Sequence, residues 1–207
     1  MDFDAALVDE LRRVHGIHTV ILYGSYARGD ATSESDIDVA GFADTSEIVR
    51  DARIWNGRYL DGFVYPTSKL VAPPVEEMLK FRFARVLCDE RDLAKPFLAA
   101  VGALDRQGPA PLSEPEARMR RVWAKKMLGR IRRDDIEGRY RRHWLLYQLL
   151  EDHFALRGTW YRGPKEALAS LRDEAPSTFA AFERALDPAS PPEALEALVE
   201  HVTVASG

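Results

Sequence analysis

Cysteine and long apolar runs are scarce in this sequence. Cys88 is the one cysteine among 207 residues, so no disulfide can form within the chain, and a reducing compartment is favoured. No apolar run approaches the ~20 residues that a membrane-spanning helix needs. The first residues, MDFDAALVDELRRV, are acidic and amphipathic, whereas a secretory signal is basic and then apolar. We therefore expect a cytoplasmic protein with no membrane partner.

Charge is distributed unevenly along the chain, although the net charge is only −4. Residues 1–61 contain 12 acidic and 6 basic residues, whereas residues 114–165 contain 14 basic and 7 acidic residues. Between these regions, residues 106–116 read RQGPAPLSEPE, a proline-rich polar stretch typical of a domain boundary. The sequence therefore predicts two domains, at residues 1–108 and 114–207.

Hydrophobic periodicity also changes at this boundary. Before it, HTVILYG, SDIDVAGF, RYLDGFVYP and ARVLCD have the β-branched or alternating pattern of strands, and TSEIVRDARI has a capping residue followed by a helical pattern. After it, the pattern is helical only, over residues 116–137, 140–157, 164–174, 176–186 and 191–204. We predict an α+β fold, in which a small domain of strands and helices precedes an all-α bundle.

The stretch GSYARGDATSESDIDVA, residues 24–40, contains the chemistry of the first domain. Asp36 and Asp38 are two residues apart on a predicted strand, so their side chains point to the same face. Carboxylates that close repel each other unless a cation lies between them, and Mg²⁺ is the usual cation beside phosphates. The strand that ends at Gly24-Ser25 lets the main chain approach an anion, because glycine has no Cβ. A solvated acidic loop is the weaker interpretation.

Asp61 is the candidate for a third carboxylate. It lies in the strand pattern RYLDGFVY, where a polar residue has no other explanation except as part of an Asp-Gly hairpin turn. If that strand lies beside SDIDV, Asp61 completes a two-metal site. One ion would orient a nucleoside triphosphate, and the other would lower the pKa of an acceptor hydroxyl. Asp36, Asp38 and Asp61 are thus the predicted catalytic and metal-binding residues.

This motif resembles the signature of the DNA polymerase β-like nucleotidyltransferase superfamily, which includes kanamycin nucleotidyltransferase and MNT-type antitoxins. The residues that carry the resemblance are Gly24-Ser25-x-Ala27-Arg28-Gly29, a gap of five, and Ser35-Asp36-Ile37-Asp38-Val39. It implies a small mixed β-sheet flanked by helices and an ATP-binding transferase that uses Mg²⁺, as two ions, or Mn²⁺. The implied reaction moves a nucleoside monophosphate, with AMP from ATP expected, to a hydroxyl of a small-molecule acceptor and releases pyrophosphate.

The resemblance also implies roles for individual residues. Gly24, Ser25 and Arg28 would bind the nucleotide, although Arg28 pairs equally well with a nearby aspartate. The helical half resembles the domain that follows the catalytic domain in antibiotic-modifying nucleotidyltransferases. By that analogy Lys165 would meet the triphosphate, and Glu151 would act as an acceptor-side base.

Several alternatives stay open on the sequence alone. The acceptor could instead be a protein or tRNA, as in antitoxin-like members, or the chain could be a non-catalytic nucleotide-binding regulator. The basic stretch over residues 118–142 is a solvated helix face, an attractor for the triphosphate or an RNA-binding surface. Base preference and oligomeric state are not determined by the sequence.

Overall fold

The computed structural model describes residues 2–133 and 135–204, and the chain divides into two compact units, residues 1–107 and 108–207. The first unit contains strands and helices in the following order: α1 (Phe3–His15), β1 (Thr19–Tyr23), α2 (Gly24–Arg28), β2 (Ile37–Ala43), β3 (Val49–Trp55), β4 (Arg58–Pro66), α3 (Ser68–Val71), a 3₁₀ helix (Glu76–Phe81), β5 (Arg85–Asp89) and α4 (Ala94–Gln107).

The strands form one five-stranded sheet in the order β3-β4-β2-β1-β5. β2 and β4 pair in parallel, and every other neighbouring pair is antiparallel. The interior strand β1 is buried along its whole length, because both of its faces are covered. The mixed sheet and the α+β class predicted from the sequence are confirmed.

Successive side chains along each strand point to opposite faces of the sheet, so a separate hydrophobic core forms on each face. On one face, the side chains of α1 pack against Leu22 and Val39. On the other face, the 3₁₀ helix and α4 contribute Phe81 and Phe97, which pack with Phe42. Each fully buried side chain of this size contributes about 1.5–3 kcal/mol of hydrophobic free energy. The sheet is thus a rigid platform for the side chains at its edge.

The helix predicted over residues 45–54 is wrong. Residues 49–55 form β3, which pairs with β4 through a tight hairpin at Asn56 and Gly57. Both turn residues have positive φ, 49° and 76°, as a type I′ turn requires. The segment has the period of a helix, but its backbone N–H and C=O groups form hydrogen bonds with β4 instead. The sequence of the segment alone does not show that this partner strand exists.

In the described parts of residues 108–207, the second unit consists of helices and the loops that connect them. Its helices are α5 (Glu114–Ile131), α6 (Ile136–Ala155), α7 (Pro164–Glu174), α8 (Pro176–Leu186) and α9 (Pro192–Thr203). α5 begins with a capping box between Ser113 and Glu116, which satisfies backbone donors at the helix start. A single core of leucine, alanine, valine and phenylalanine side chains joins the five helices.

Within residues 2–133 and 135–204, none of the helices combines the length and the apolar character that crossing a bilayer demands.

Candidate functional site

The strand register places Asp38 beside Asp61. β2 and β4 are parallel, and Asp38 is the direct partner of Asp61 across the pair. Neighbouring strands lie roughly 4.8 Å apart, and laterally paired residues share a face, so the two side chains start side by side. Asp36 lies two residues before Asp38, immediately ahead of β2, and it is exposed to solvent. The three predicted carboxylates therefore lie toward the same end of β2 and β4, and Asp61 lies within a strand rather than in a hairpin turn.

The main chain at Gly24 packs directly against Asp38. Gly24 follows β1, begins the short helix α2 and has a φ of 67°, a conformation that L side chains rarely adopt. A Cβ at this position would lie 2.1 Å from Oδ2 of Asp38. Glycine is therefore required here both for its backbone conformation and for the room that the carboxylate occupies.

Burial is the largest cause that raises the pKa of Asp38 to about 6, and the negative charges of Asp61 and Asp36 contribute to the same rise. The positive charges of Arg28 and Lys80 act in the opposite direction. The charges of Asp61 and Asp36 thus lie close enough to Asp38 to disfavour its ionised form. A bound cation would relieve this repulsion.

The buried phenol of Tyr23 adds to the same environment. Tyr23 pairs with Asp38 across β1 and β2. Burial raises the pKa of Tyr23 well above its usual range, and the Asp38 charge adds to this effect. Tyr23 therefore stays a neutral phenol beside the carboxylates at all physiological pH values.

Arg50 holds Asp61 in this structure. Nη2 of Arg50 lies 3.0 Å from Oδ1 of Asp61, and the arginine side chain is 56% exposed. In the part of the chain that the structure describes, no three His, Cys, Asp or Glu side chains are grouped closely enough to hold a metal ion as they stand. The donor set nevertheless fits a hard divalent cation, because it supplies three carboxylates from one end of two strands, and hard cations take oxygen ligands.

Sequence reasoning missed Arg50 and Lys80. The period of residues 45–54 predicts a helix that contains Arg50, although Val49, Ile54 and the Asn-Gly pair after Trp55 are signals of a strand that leads into a hairpin. Lys80 gives no signal in the sequence, because its position depends on how the 3₁₀ helix packs on the sheet. Arg28 pairs with Asp30 at 3.4 Å, which is one of the two roles considered for it.

Comparison with known proteins decides the class of this unit. Residues 5–90 match the family model of the nucleotidyltransferase domain.

Residues 5–90 are a nucleotidyltransferase domain.

The match confirms the resemblance drawn from the motif and supports a nucleotidyltransferase activity for this domain. No curated protein matches the chain in sequence. Among solved structures, a nucleotidyltransferase-like protein from Exiguobacterium sibiricum 255-15 is similar over 96% of this chain and 72% of its own. The two sequences are 11% identical, and the TM-score is 0.44.

Lys165 and Glu151 lie outside the nucleotidyltransferase domain, in the second unit. Lys165 is an exposed residue in the first turn of α7. Glu151 lies on α6, where its carboxylate is 3.6 Å from Nη1 of Arg120. Their roles at the nucleotide and at the acceptor stay predictions.

Several arginines of the basic stretch are engaged inside the helical unit. Arg120 pairs with buried Asp152. Arg132 pairs with Glu196 on α9, and Arg142 donates to the backbone oxygen of Ala185 on α8. These contacts favour a structural role for part of the stretch, because an arginine committed to a neighbouring helix is less available to an external phosphate.

Proposed function

We propose that this nucleotidyltransferase transfers a nucleoside monophosphate, with ATP as the expected donor, to a hydroxyl of a small-molecule acceptor and releases pyrophosphate. The observation that supports this reaction most directly is the in-register pairing of Asp38 with Asp61, next to Asp36 and the Gly24-Ser25 turn. Phosphoryl-type transfer needs little covalent chemistry from a protein, so an array of fixed charges suits it well.

Asp36, Asp38 and Asp61 would together hold two Mg²⁺ ions, for which Mn²⁺ is a substitute. When bound, the ions supply the positive charge that neutralises the polyphosphate and that lowers the pKa of the acceptor hydroxyl. Asp38 must lose its proton before it can serve as a ligand. Because its pKa is about 6, it is ionised at neutral pH and largely protonated at pH 5.

The residues of the chain have separate tasks in the transfer. Gly24 lets the main chain pack against Asp38 and so brings its backbone toward the polyphosphate, to which Ser25 offers a hydroxyl donor. Asp61 lies across β2 from these residues, on the side left for the acceptor. The acceptor oxygen attacks the α-phosphorus, the bond to pyrophosphate breaks, and Asp61 accepts the hydroxyl proton. Arg28 and Lys165 are proposed contacts of the phosphates.

Label transfer tests the proposed function. The protein is incubated with Mg²⁺ and each of four α-³²P nucleoside triphosphates, against separate pools of small metabolites, tRNA and proteins. We expect label to move from ATP to a component of the small-molecule pool and the Asp61→Asn variant to lose this transfer. Asp9→Asn is the matched control, because Asp9 is an exposed aspartate on α1, the helix on the other face of the sheet.

Each alternative has its own outcome in this experiment. Label in tRNA or protein would replace the small-molecule acceptor with a macromolecular one. Nucleotide binding without transfer to any pool would instead support a non-catalytic regulator. Transfer that survives in Asp61→Asn would remove Asp61 from the reaction.

The ion pair between Arg50 and Asp61 leads to a prediction about metal binding. Arg50→Gln should bind Mn²⁺ several-fold more tightly than the wild type in the absence of nucleotide, because the guanidinium no longer competes for Asp61 and no longer repels the cation. Isothermal titration and the electron paramagnetic resonance signal of free Mn²⁺ measure the affinity.

Arg13→Gln is the control for the change in net charge. Arg13 lies on α1, across the sheet from the carboxylates, and its side chain is 70% exposed. Equal Mn²⁺ affinities of the two variants would contradict a specific effect of Arg50 on Asp61.

A further inference from the structure

Two cations flank one aromatic ring next to Asp61. The guanidinium carbon of Arg50 lies 5.2 Å from the centre of the Phe63 ring, and Nζ of Lys80 lies 4.7 Å from the same centre. Arg50 and Phe63 are direct partners across β3 and β4, and Phe63 follows Asp61 by two residues, on the same face of the sheet. The two positive groups therefore belong to the catalytic face of the domain.

The ammonium of Lys80 is held by aromatic side chains rather than by a carboxylate. Nζ donates to the hydroxyl of Tyr65 at 2.8 Å and lies 5.1–5.3 Å from the ring centres of Tyr23, Tyr65 and Phe81. Within residues 2–133 and 135–204, no carboxylate lies within ion-pair distance of Lys80. An ammonium has three donors, so two remain for a ligand. Aromatic faces stabilise a cation without neutralising its charge.

The strand order places Arg50 on the side of the carboxylates opposite the Gly24-Ser25 segment, with Lys80 between the two sides. Gly24 and Ser25 follow β1, Asp38 lies on β2, Asp61 on β4 and Arg50 on the edge strand β3. Gly24-Ser25, the segment proposed to contact the polyphosphate, and Arg50 are therefore on opposite sides of the carboxylates. Lys80 extends over β4 and β1 from the 3₁₀ helix and lowers the pKa of Asp38.

The guanidinium of Arg50 lies against a carboxylate that a cation would use. Oδ1 of Asp61 accepts from Arg50 in this structure, which leaves Oδ2 of Asp61 for a cation. A cation bound there would compete with Arg50 for the negative charge of Asp61 and would repel the guanidinium. Its stacking on Phe63 keeps it beside the site, where it is open to another anion.

We propose that Arg50 and Lys80 form an anion receptor around the Phe63 ring, next to Asp61, and that the acceptor is a hydroxyl compound bearing a phosphate or a carboxylate. This inference rests on the proposed function, because it assigns Asp61 to the acceptor. The half-buried ring of Phe63 supplies an apolar floor between the two cations. A polycationic acceptor such as an aminoglycoside is disfavoured, because like charges brought together reduce affinity.

The receptor is tested by the binding of four probes that share a carbon skeleton and differ in charge. The probes are glycerol, glycerol 3-phosphate, glycerate and 3-amino-1,2-propanediol. Saturation-transfer NMR measures their affinity with Mg²⁺ and with and without saturating α,β-methylene-ATP, which fills the polyphosphate subsite. We expect the two anionic probes to bind about tenfold more tightly than the others, because charge-assisted hydrogen bonds form only with them.

Variants assign the effect to the two cations. Arg50→Gln and Lys80→Met should each weaken glycerol 3-phosphate binding several-fold, whereas Lys69→Met, at an exposed lysine on α3, should leave it unchanged. Arg50 is exposed, so its variant tests the receptor even if the loss of Lys80 disturbs folding.

Three results would overturn the receptor. They are equal or tighter binding of the neutral or amino probe, no binding of any probe at millimolar concentration, and anionic binding that neither variant changes. Binding of α,β-methylene-ATP is measured in the same samples. Failure of the nucleotide analogue to bind counts against the proposed function, whereas analogue binding without a preference for anionic probes counts against the receptor alone.

Discussion

Asp38→Asn is expected to abolish nucleotidyl transfer and, at neutral pH and without metal, to stabilise the fold. The loss of activity should be at least about 100-fold, because the variant lacks the central carboxylate between Asp36 and Asp61. The gain in stability follows from the same position. Burial and the two neighbouring carboxylates raise the pKa of Asp38 to about 6, so its ionised form is unfavourable in the folded protein.

The sign of the pH dependence follows from proton binding. The ordinary pKa of Asp38 is 3.8 and the folded value is about 6, so between these values the folded state binds more protons than the unfolded state. The free energy of unfolding therefore falls as the pH rises from about 4 to 6 and stays lower above that range. Asparagine should restore on the order of 1–2 kcal/mol at pH 7.5, after allowance for the solvent exposure of Asp38, and nothing at pH 4.

Thermal unfolding of the full chain in chelator, at pH 7.5 and pH 4, measures this difference. Asp9→Asn should change neither midpoint. Saturating Mn²⁺ should stabilise the wild type and leave Asp38→Asn unchanged, because binding to the folded state alone adds stability. A variant that is less stable than the wild type at pH 7.5, or that differs from it equally at both pH values, would show that Asp38 is not under electrostatic strain.

Gly24→Ala is expected to be the most damaging single-methyl change in the domain. Its Cβ would lie 2.1 Å from Oδ2 of Asp38, and the φ of 67° adds backbone strain. We expect the free energy of unfolding to fall by about 2–4 kcal/mol, from the sum of a left-handed conformation and an overpacked contact. Transfer should fall by at least about 100-fold, because Asp38 must leave its position.

Gly16→Ala separates backbone strain from the clash. Gly16 has a φ of 61°, and a Cβ there would meet nothing within 4 Å. Its variant should lose only the strain. Combining Gly24→Ala with Asp38→Ala should recover part of the stability and none of the activity, because the carboxylate that the new methyl meets is gone. Equal unfolding midpoints for Gly24→Ala and Gly16→Ala would contradict the close contact.

The spacing of apolar residues in the sequence predicts most of the helices and strands of the fold. One segment is predicted wrongly, and it shows what such patterns cannot predict. The strand patterns of residues 18–24, 35–42, 58–66 and 84–89 correspond to β1, β2, β4 and β5. The pattern of residues 45–54 predicts a helix, but most of this segment lies in the edge strand β3, Val49–Trp55. The periodicity of a short segment does not show which strand pairs with it, and the hydrogen bonds to that strand decide the conformation of the segment.

The sequence by itself determined the class of the first domain, through its glycine-serine and aspartate motif. A glycine-serine turn and two carboxylates two residues apart are local patterns, and local backbone geometry is enough to place Asp36 and Asp38 on one side of a strand. The α+β class follows in the same way from the change of period at the proline-rich boundary.

Only the tertiary structure decided which side chains surround these carboxylates. Asp61 lies beside Asp38 because β2 and β4 pair in parallel, although β3 and a hairpin separate the two strands in the sequence. Arg50 lies on the edge strand β3, and Lys80 lies on the 3₁₀ helix that packs on the sheet. These contacts join residues far apart in the chain, so they depend on strand order and register. Those properties are set by the burial of the whole sheet rather than by any short stretch of sequence.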